Sequence, residues 1–146
     1  MTRIDFYFNV NDKQKLLAGL VETAITKRRQ VAILAENEVM ATHVSEYLWQ
    51  ENPTSFLPNV TANHLHAARS RIVIGLQADS FMLDDMLINL ASNESSVFSR
   101  FTQLVELVGT DEQDKVAARA RFKFYRDRGY EIKSVDYAQV MTNKTE

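Results

Sequence analysis

The chain has 146 residues, which is long enough for one domain to bury a hydrophobic core without disulfide support. A net charge of −2 argues against nucleic-acid binding by the surface as a whole, and the absence of cysteine excludes disulfides, thiolate catalysis and cysteine-ligated zinc. Because no apolar run has the length of a signal peptide or a membrane span, we expect a cytoplasmic protein that does not enter a membrane.

Strand and helix patterns alternate through the first half of the chain. Strand patterns cover Ile4 to Phe8 and Val31 to Ala35, and the second is a continuous apolar run typical of a strand buried on both faces. Apolar residues recur at helical spacing from Lys13 to Arg29, and again from the capping pair Glu36-Asn37 to Gln50. This order predicts an α/β fold in which right-handed crossovers join parallel strands.

The second half adds further strands and one more helix. Residues 59–70 are polar and predicted to be irregular. Strand patterns follow at Arg71 to Leu76, Met86 to Leu90, Leu104 to Val108 and, as an edge strand, Tyr130 to Tyr137. A helix from Phe81 is the alternative to the strand at Met86 to Leu90. No linker or repeat divides the chain. We therefore expect one three-layer α/β/α domain over residues 1–146, with a mostly parallel, mixed open sheet and a frayed tail from about 138 to 146.

The most informative segment is the helix predicted from Lys115 to Arg128. Thr110 and Gln113 have the spacing of a capping box, and Gly129 is the residue expected just beyond the helix end. One face of this helix is apolar and predicted to be buried; it consists of Val116, Ala117, Ala120 and Phe124. A second face is basic and has Phe122 at its edge; it consists of Lys115, Arg119, Lys123 and Arg126.

Two interpretations of the basic face remain open. Six of the seventeen basic residues lie between Lys115 and Arg128, with Asp127 as the one acid in that window. Like charges one helical turn apart repel each other unless an anion approaches them. The face is either solvated and neutralised by neighbouring loops, or it is a docking groove for an acidic ligand with a hydrophobic anchor. The aromatic ring beside the cations favours the groove.

The sequence offers no catalytic constellation. Its four glycines form neither a GxGxxG turn nor a GxxxxGK[ST] loop, so the fold is Rossmann-like without a nucleotide-binding motif, and we expect no cofactor. We interpret Asp84 and Asp85 as structural, and His64 and His66 as exposed loop residues that lack a third metal ligand. His43 lies on the apolar side of its helix and is expected in the core. We therefore expect neither a metal site nor an enzyme.

A second candidate surface lies where the second helix ends. Trp49 is followed by a loop that contains Phe56, Leu57 and Pro58. These residues either close one end of the core or form an exposed apolar patch, held rigid by proline, that anchors a partner. The sequence alone leaves both interpretations open.

Three stretches of the sequence resemble one known family. They are IDFYF from Ile4, LWQENPTSFLPN from Leu48 and ARARFKFYRDRGY from Ala118. Together with the length and the order of elements, they resemble the chi subunit of bacterial DNA polymerase III over essentially the whole chain. The resemblance implies a non-catalytic DNA replication protein. Such a protein links the acidic, phenylalanine-ending C-terminal tail of the single-stranded-DNA-binding protein to the clamp loader through the psi subunit. It also implies a location at the replisome and only indirect contact with DNA.

The resemblance also assigns residues to two sites. The site for the tail is carried over to Val108, Arg119, Phe122, Lys123 and Arg126, and we add Lys115 from the same basic helix face. The site for psi, or for a helicase-like repair protein that uses the same surface, is carried over to Trp49, Phe56 and Pro58. Two departures are that the family commonly has tyrosine at the position of Phe122 and histidine at that of Asn59. The alternatives are a domain that binds nucleic acid directly through helix 115–128, and a small-molecule enzyme on an α/β scaffold.

Overall fold

A computed structural model describes residues 2–51, 60–61, 72–77, 81, 84–92 and 98–138. The strands in these residues are β1 (Arg3–Phe8), β2 (Val31–Leu34), β3 (Val60–Thr61), β4 (Ile72–Gly75), β5 (Met86–Asn89), β6 (Gln103–Leu107) and β7 (Ile132–Asp136). Within the same residues the α-helices are α1 (Lys13–Thr26), α2 (Glu38–Glu51) and α3 (Glu112–Asp127), and a 3-10 turn lies at Phe98–Arg100. No helix in the described part of the chain combines the length and the apolar character needed to span a membrane.

The seven strands form one open sheet in the order β3-β4-β2-β5-β6-β1-β7. Every pairing between neighbours in this sheet is parallel. The predicted α/β class is confirmed, whereas the described strands include no antiparallel member that would make the sheet mixed. The prediction that residues 59–70 are irregular is wrong at Val60 and Thr61, which pair with β4. Two residues form too short a segment for a periodic pattern to reveal.

The sheet is covered on both faces, as a parallel sheet requires. In β2, Val31 and Ile33 belong to the core shared with α1 and α2. The alternate residues Ala32 and Leu34 belong to the core shared with α3. The three layers predicted from the sequence are therefore present, because side chains on a strand point alternately to its two faces.

Helices α1 and α3 end in the same way. In each, two backbone N–H groups beyond the helix return to carbonyls of the last turn, the pattern of a Schellman motif. The left-handed residue of this motif is Gly129 in α3, at φ +85°, as predicted. In α1 it is Arg28, at φ 61°, so α1 stops at Thr26 and the predicted end at Arg29 is wrong.

The end of α1 is held against the start of β5. The Arg29 guanidinium donates to Asp85 Oδ1 at 2.7 Å, and the backbone N–H of Gln30 donates to Asp85 Oδ2 at 3.1 Å. This contact agrees with the structural interpretation of Asp85. His43 is exposed on α2, so the prediction that it lies in the core is wrong. His64 and His66 lie outside the described residues, as do residues 139–146 of the predicted frayed tail.

Helix α3 begins one residue later than its predicted capping box implies. Asp111 is the N-cap, and its side chain makes no capping hydrogen bond, so the prediction of Thr110 is wrong. Asp114 in the first turn instead turns back towards the loop, where its Oδ2 accepts the Gly109 N–H at 2.6 Å and Lys13 Nζ at 3.0 Å. These two hydrogen bonds join the connection between β6 and α3 to helix α1.

The predicted buried face of α3 is wrong at two of its four residues, whereas Ala117 and Phe124 are half-buried and Phe124 packs against the core. Val116 is 58% exposed and Ala120 is exposed as well, although the sequence pattern predicts both in the core. The buried residues of this helix are Ala118, Arg121 and Tyr125. A prediction that considers only apolar residues selects the wrong face, because it places Arg121 on the surface although the structure buries this residue.

Candidate functional site

A groove lies between α3 and the edge of the sheet formed by β1 and β7. Its volume is about 400 Å³. The apolar side chains that line it are Phe6, Phe8, Val108, Ala118 and Phe122. The polar side chains at its rim are Asn9, Lys115, Arg119 and Ser134. We call this feature the α3 groove. It combines four of the six residues predicted to bind the tail, namely Val108, Lys115, Arg119 and Phe122.

The apolar wall of the α3 groove is held by the core beneath it. Val108 and Ala118 are buried, and Phe122 is half-buried. The Phe122 ring packs edge-to-face on Phe6, with 5.3 Å between ring centroids and 71° between planes. Because Phe6 belongs to β1, the ring of Phe122 is fixed against the sheet and presents a rigid apolar surface.

The two cations of the α3 groove lie one helical turn apart. Lys115 Nζ is 3.9 Å from Glu112 Oε1, and the Glu112 side chain is itself largely exposed, so this pair is weak. Arg119 forms no ion pair with any residue that the structure describes. The rim of the groove therefore carries positive charge that neighbouring described carboxylates leave largely available to a ligand.

Lys123 and Arg126 lie further along α3 and do not line the α3 groove. Lys123 is exposed, and Arg126 Nε lies 3.7 Å from Asp127 Oδ1 in an exposed pair. The basic face recognised in the sequence is thus divided. Lys115 and Arg119 belong to the groove, whereas the other two cations continue the positive charge along the helix beyond it.

A buried ion pair lies beneath the middle of α3. Arg121 Nε is 3.0 Å from Glu106 Oε1, and the two side chains are only 3% and 0% exposed. Arg121 also donates through Nη1 to the Ser92 carbonyl at 2.9 Å. The second carboxylate oxygen of Glu106 accepts from the Tyr125 hydroxyl at 2.6 Å and from Asn89 Nδ2 at 3.1 Å.

These groups act on the Glu106 carboxyl in opposite directions. Desolvation raises the pKa of Glu106, while the charge of Arg121 and the hydrogen bonds from Tyr125 and Asn89 lower it, and the net direction is upward. Periodicity and motifs alone predict no role for Glu106 or Arg121. The available signal was a carboxylate inside an apolar strand pattern, because such a group requires a buried partner.

The sequence matches one family model over most of its length. The model described as DNA polymerase III chi subunit, HolC, matches residues 1–133. The chain belongs to this family. Three relatives named DNA polymerase III subunit chi are each 28% identical to it. The Pseudomonas aeruginosa protein aligns over 90% of this chain and 94% of its own, the Haemophilus influenzae protein over 82% and 83%, and the Escherichia coli protein over 94% and 99%.

Membership of the chi family makes the chain an accessory subunit in DNA replication rather than a catalytic one. The second site that resemblance to chi assigns is only partly within the described residues. The backbone of Trp49 belongs to the last turn of α2, and Phe56 and Pro58 lie outside the described residues. Their proposed contact with a partner remains a prediction.

A second cavity in this chi-family chain lies at the carboxyl ends of β1 and β6. Its volume is about 580 Å³, and its carboxylates are Asp12, Asp111 and Asp114. Helix α1 follows β1 and helix α3 follows β6, and the two helices cover opposite faces of the sheet. In many open α/β sheets, ligands bind at the carboxyl ends of two neighbouring strands that diverge in this way. Asp12 caps α1 by accepting from the Lys15 N–H at 3.1 Å. The described residues contain no group of three acidic or histidine side chains arranged to hold a metal ion.

Proposed function

We propose that this chi-family chain binds the acidic, phenylalanine-ending C-terminal tail of the single-stranded-DNA-binding protein in the α3 groove. Through psi it connects that tail to the clamp loader of DNA polymerase III at the replisome, and a helicase-like repair protein is the alternative partner at the surface that psi would use. The observation that supports tail binding is an apolar slot, formed by Val108 and Phe122, with Lys115 and Arg119 at its rim. These four residues supply both the apolar contact and the positive charge that such a tail requires.

The tail has two kinds of group to place. Its terminal phenylalanine ring would pack against Phe6 and Phe122 in the apolar part of the groove, where edge-to-face contacts between rings are favourable. Its carboxylates would face the rim, where Arg119 can donate two parallel hydrogen bonds and Lys115 adds a point charge. A volume of about 400 Å³ lies in the size range of small-ligand pockets, and the groove stays open to solvent.

The exposed cations beyond the groove have a different task in this proposal. Lys123 and Arg126 would attract the acidic residues that precede the end of the tail. Charges at the rim of an interface mainly raise the association rate, and salt screens them. Binding should therefore weaken steadily with ionic strength without disappearing, because the contact of the phenylalanine ring is not electrostatic.

A competition experiment tests tail binding against direct binding of nucleic acid by helix α3. The protein is titrated with a labelled acidic peptide ending in phenylalanine, in the presence of a single-stranded oligonucleotide or of the same peptide without its last residue. We expect the intact peptide to displace the oligonucleotide, and the shortened peptide to bind at least tenfold more weakly, about 1.4 kcal/mol. Equal binding of both peptides, or displacement of the intact peptide by the oligonucleotide, would reject the tail site.

A further inference from the structure

We propose that the buried Glu106–Arg121 pair sets the rotation of α3 about its own axis and thereby decides which side chains face the α3 groove. The rotational role stands on the geometry of the core. Its consequence for ligand binding rests on the proposed function. Arg121 is in this view a positioning residue, since it lines neither the groove nor the surface.

Helix α3 carries two faces that compete for the core. At about 100° per residue, the apolar face of Val116, Ala117, Ala120 and Phe124 is centred roughly 120° from the buried face of Ala118, Arg121 and Tyr125. Counted by apolar residues alone, the first face is the better candidate for burial. The structure nevertheless buries the second face and leaves Val116 58% exposed.

Glu106 supplies the reason for this choice. It is the penultimate residue of β6, a strand buried along its whole length, and it points to the side of the sheet that α3 covers. A buried carboxylate needs a positively charged partner. Burying an unpaired charge costs far more free energy than leaving a valine exposed to solvent. Arg121 can reach it only while the face of Ala118 and Tyr125 is turned towards the sheet.

The second hydrogen bond of Arg121 restricts the helix further. Its Nη1 group donates to the Ser92 carbonyl, which follows β5, while its Nε group binds Glu106 on β6. The guanidinium is planar and rigid, so two partners on different segments define the direction from which the arginine must approach. A buried ion pair adds little net stability over an apolar replacement, but it can specify one packing arrangement among several.

The position of the groove residues follows from this rotation. With Arg121 directed inward, Lys115, Arg119 and Phe122 lie on the flank of α3 that borders β1 and β7. Turning the helix by roughly 120° to bury Val116 and Ala120 would carry both cations away from the rim. The ion pair would thus control ligand binding without touching the ligand.

Cysteine labelling can report this rotation, because the chain contains no cysteine of its own. Val116→Cys and Ala118→Cys are each placed in the otherwise unchanged protein and in an Arg121→Met, Glu106→Gln background. Methionine retains the length of the arginine stem, and glutamine retains an oxygen that can accept from Asn89 and Tyr125. We expect the background to slow labelling of the thiol at 116 and to accelerate labelling at 118, each by about tenfold. The tail peptide should also bind about tenfold more weakly.

Tyr125→Phe is the matched control. It removes one hydrogen bond from the same carboxylate but keeps Arg121 in place, so stability should fall while both labelling rates and peptide affinity stay unchanged. If the double variant does not fold, Glu106→Gln alone should shift both labelling rates in the same directions by a smaller factor. A folded variant that labels at 116 and 118 as the unchanged protein does would overturn the proposal. Altered labelling with unchanged peptide affinity would support the rotational role and reject the groove as the tail site.

Discussion

Arg119 is the side chain on which binding of an acidic tail should depend most. It lies at the rim of the α3 groove and forms no ion pair with a described residue. We expect Arg119→Ala to weaken the tail peptide by tenfold or more, about 1.4 kcal/mol, because removing one partner of a partly desolvated charge pair also leaves the other unpaired. Calorimetric titration at low and moderate salt measures the effect.

Two variants, one on α3 and one at the residue that follows it, serve as controls for Arg119→Ala. Arg128 is exposed and stacks over the Phe124 ring at 3.5 Å, away from the groove, so Arg128→Ala should leave the affinity unchanged. The sequence alone predicts that Lys123→Ala is as harmful as Arg119→Ala. Because Lys123 does not line the groove, we expect its loss to act mainly on the association rate. Equal affinities for wild type and Arg119→Ala would show that the basic face is solvated surface.

At the scale of an element, the two Schellman motifs permit a matched pair of substitutions. Gly129 and Arg28 occupy the same left-handed position after α3 and α1. We expect Gly129→Ala to lower the free energy of unfolding by about 1 kcal/mol, because a side chain there is strained. Arg28→Gly should raise it by a few tenths of a kcal/mol or more, since strain at a non-glycine residue is relieved. Urea unfolding of both variants gives the signs; two changes of the same sign would contradict this account.

The contacts of Asp114 at the connection between β6 and α3 should make the free energy of unfolding depend on pH in the acidic range. Desolvation would raise the pKa of Asp114, but hydrogen bonds from the Gly109 N–H and from Lys13 outweigh it, and the pKa is lowered in the fold. A carboxyl with a lowered pKa binds fewer protons when folded. Its contribution is therefore complete above the unfolded value of about 3.9, and it is lost as the pH falls through the folded value.

Asp114→Asn tests this contribution. The variant should be less stable than wild type at neutral pH, and the difference in the free energy of unfolding should shrink below about pH 4. Asp111→Asn is the control, because Asp111 caps α3 without a side-chain hydrogen bond and contributes only to the favourable charge at the helix start. Denaturant unfolding at pH 7 and pH 3 measures both. If the difference in free energy of unfolding between wild type and Asp114→Asn were the same at pH 3 as at pH 7, the charge of Asp114 would not be its cause.

At the scale of the whole molecule, α2, whose last turn includes the backbone of Trp49, and the α3 groove lie on opposite faces of the sheet. Helix α2 packs against β4 near one end of the sheet, whereas the α3 groove lies at the β1 and β7 end on the other face. We expect Trp49→Ala to weaken binding to psi or the clamp loader by about 2 kcal/mol or more and to leave tail affinity intact. Effects at two separate sites should add, so Trp49→Ala combined with Arg119→Ala should lose both activities independently.

Pull-down from the native cell extract, followed by elution with the tail peptide, measures the two activities separately. The Trp49→Ala protein should still retain the single-stranded-DNA-binding protein while losing the clamp-loader side. Thermal unfolding of the variant is the control. A variant that no longer folds would show that Trp49 closes the core and is not part of a binding surface.

Sequence periodicity alone determined the α/β class, most element positions and the presence of a basic helix face beside an aromatic ring. These features are local, because a residue's own neighbours set the period of a strand or a helix. The helical period by itself is sufficient to place Lys115, Arg119 and Phe122 on neighbouring parts of one helix surface.

Only the tertiary structure decided which way α3 faces and which of its cations border a groove. Arg121 looks like one more surface cation until Glu106, fifteen residues earlier in the chain, is found beneath it. Burial of a charge depends on a partner from another element, and no period in the sequence records that pairing. Packing against β1 and β6 determines the rotation of α3. This rotation leaves Lys123 in solvent and places Arg119 at the rim of the groove.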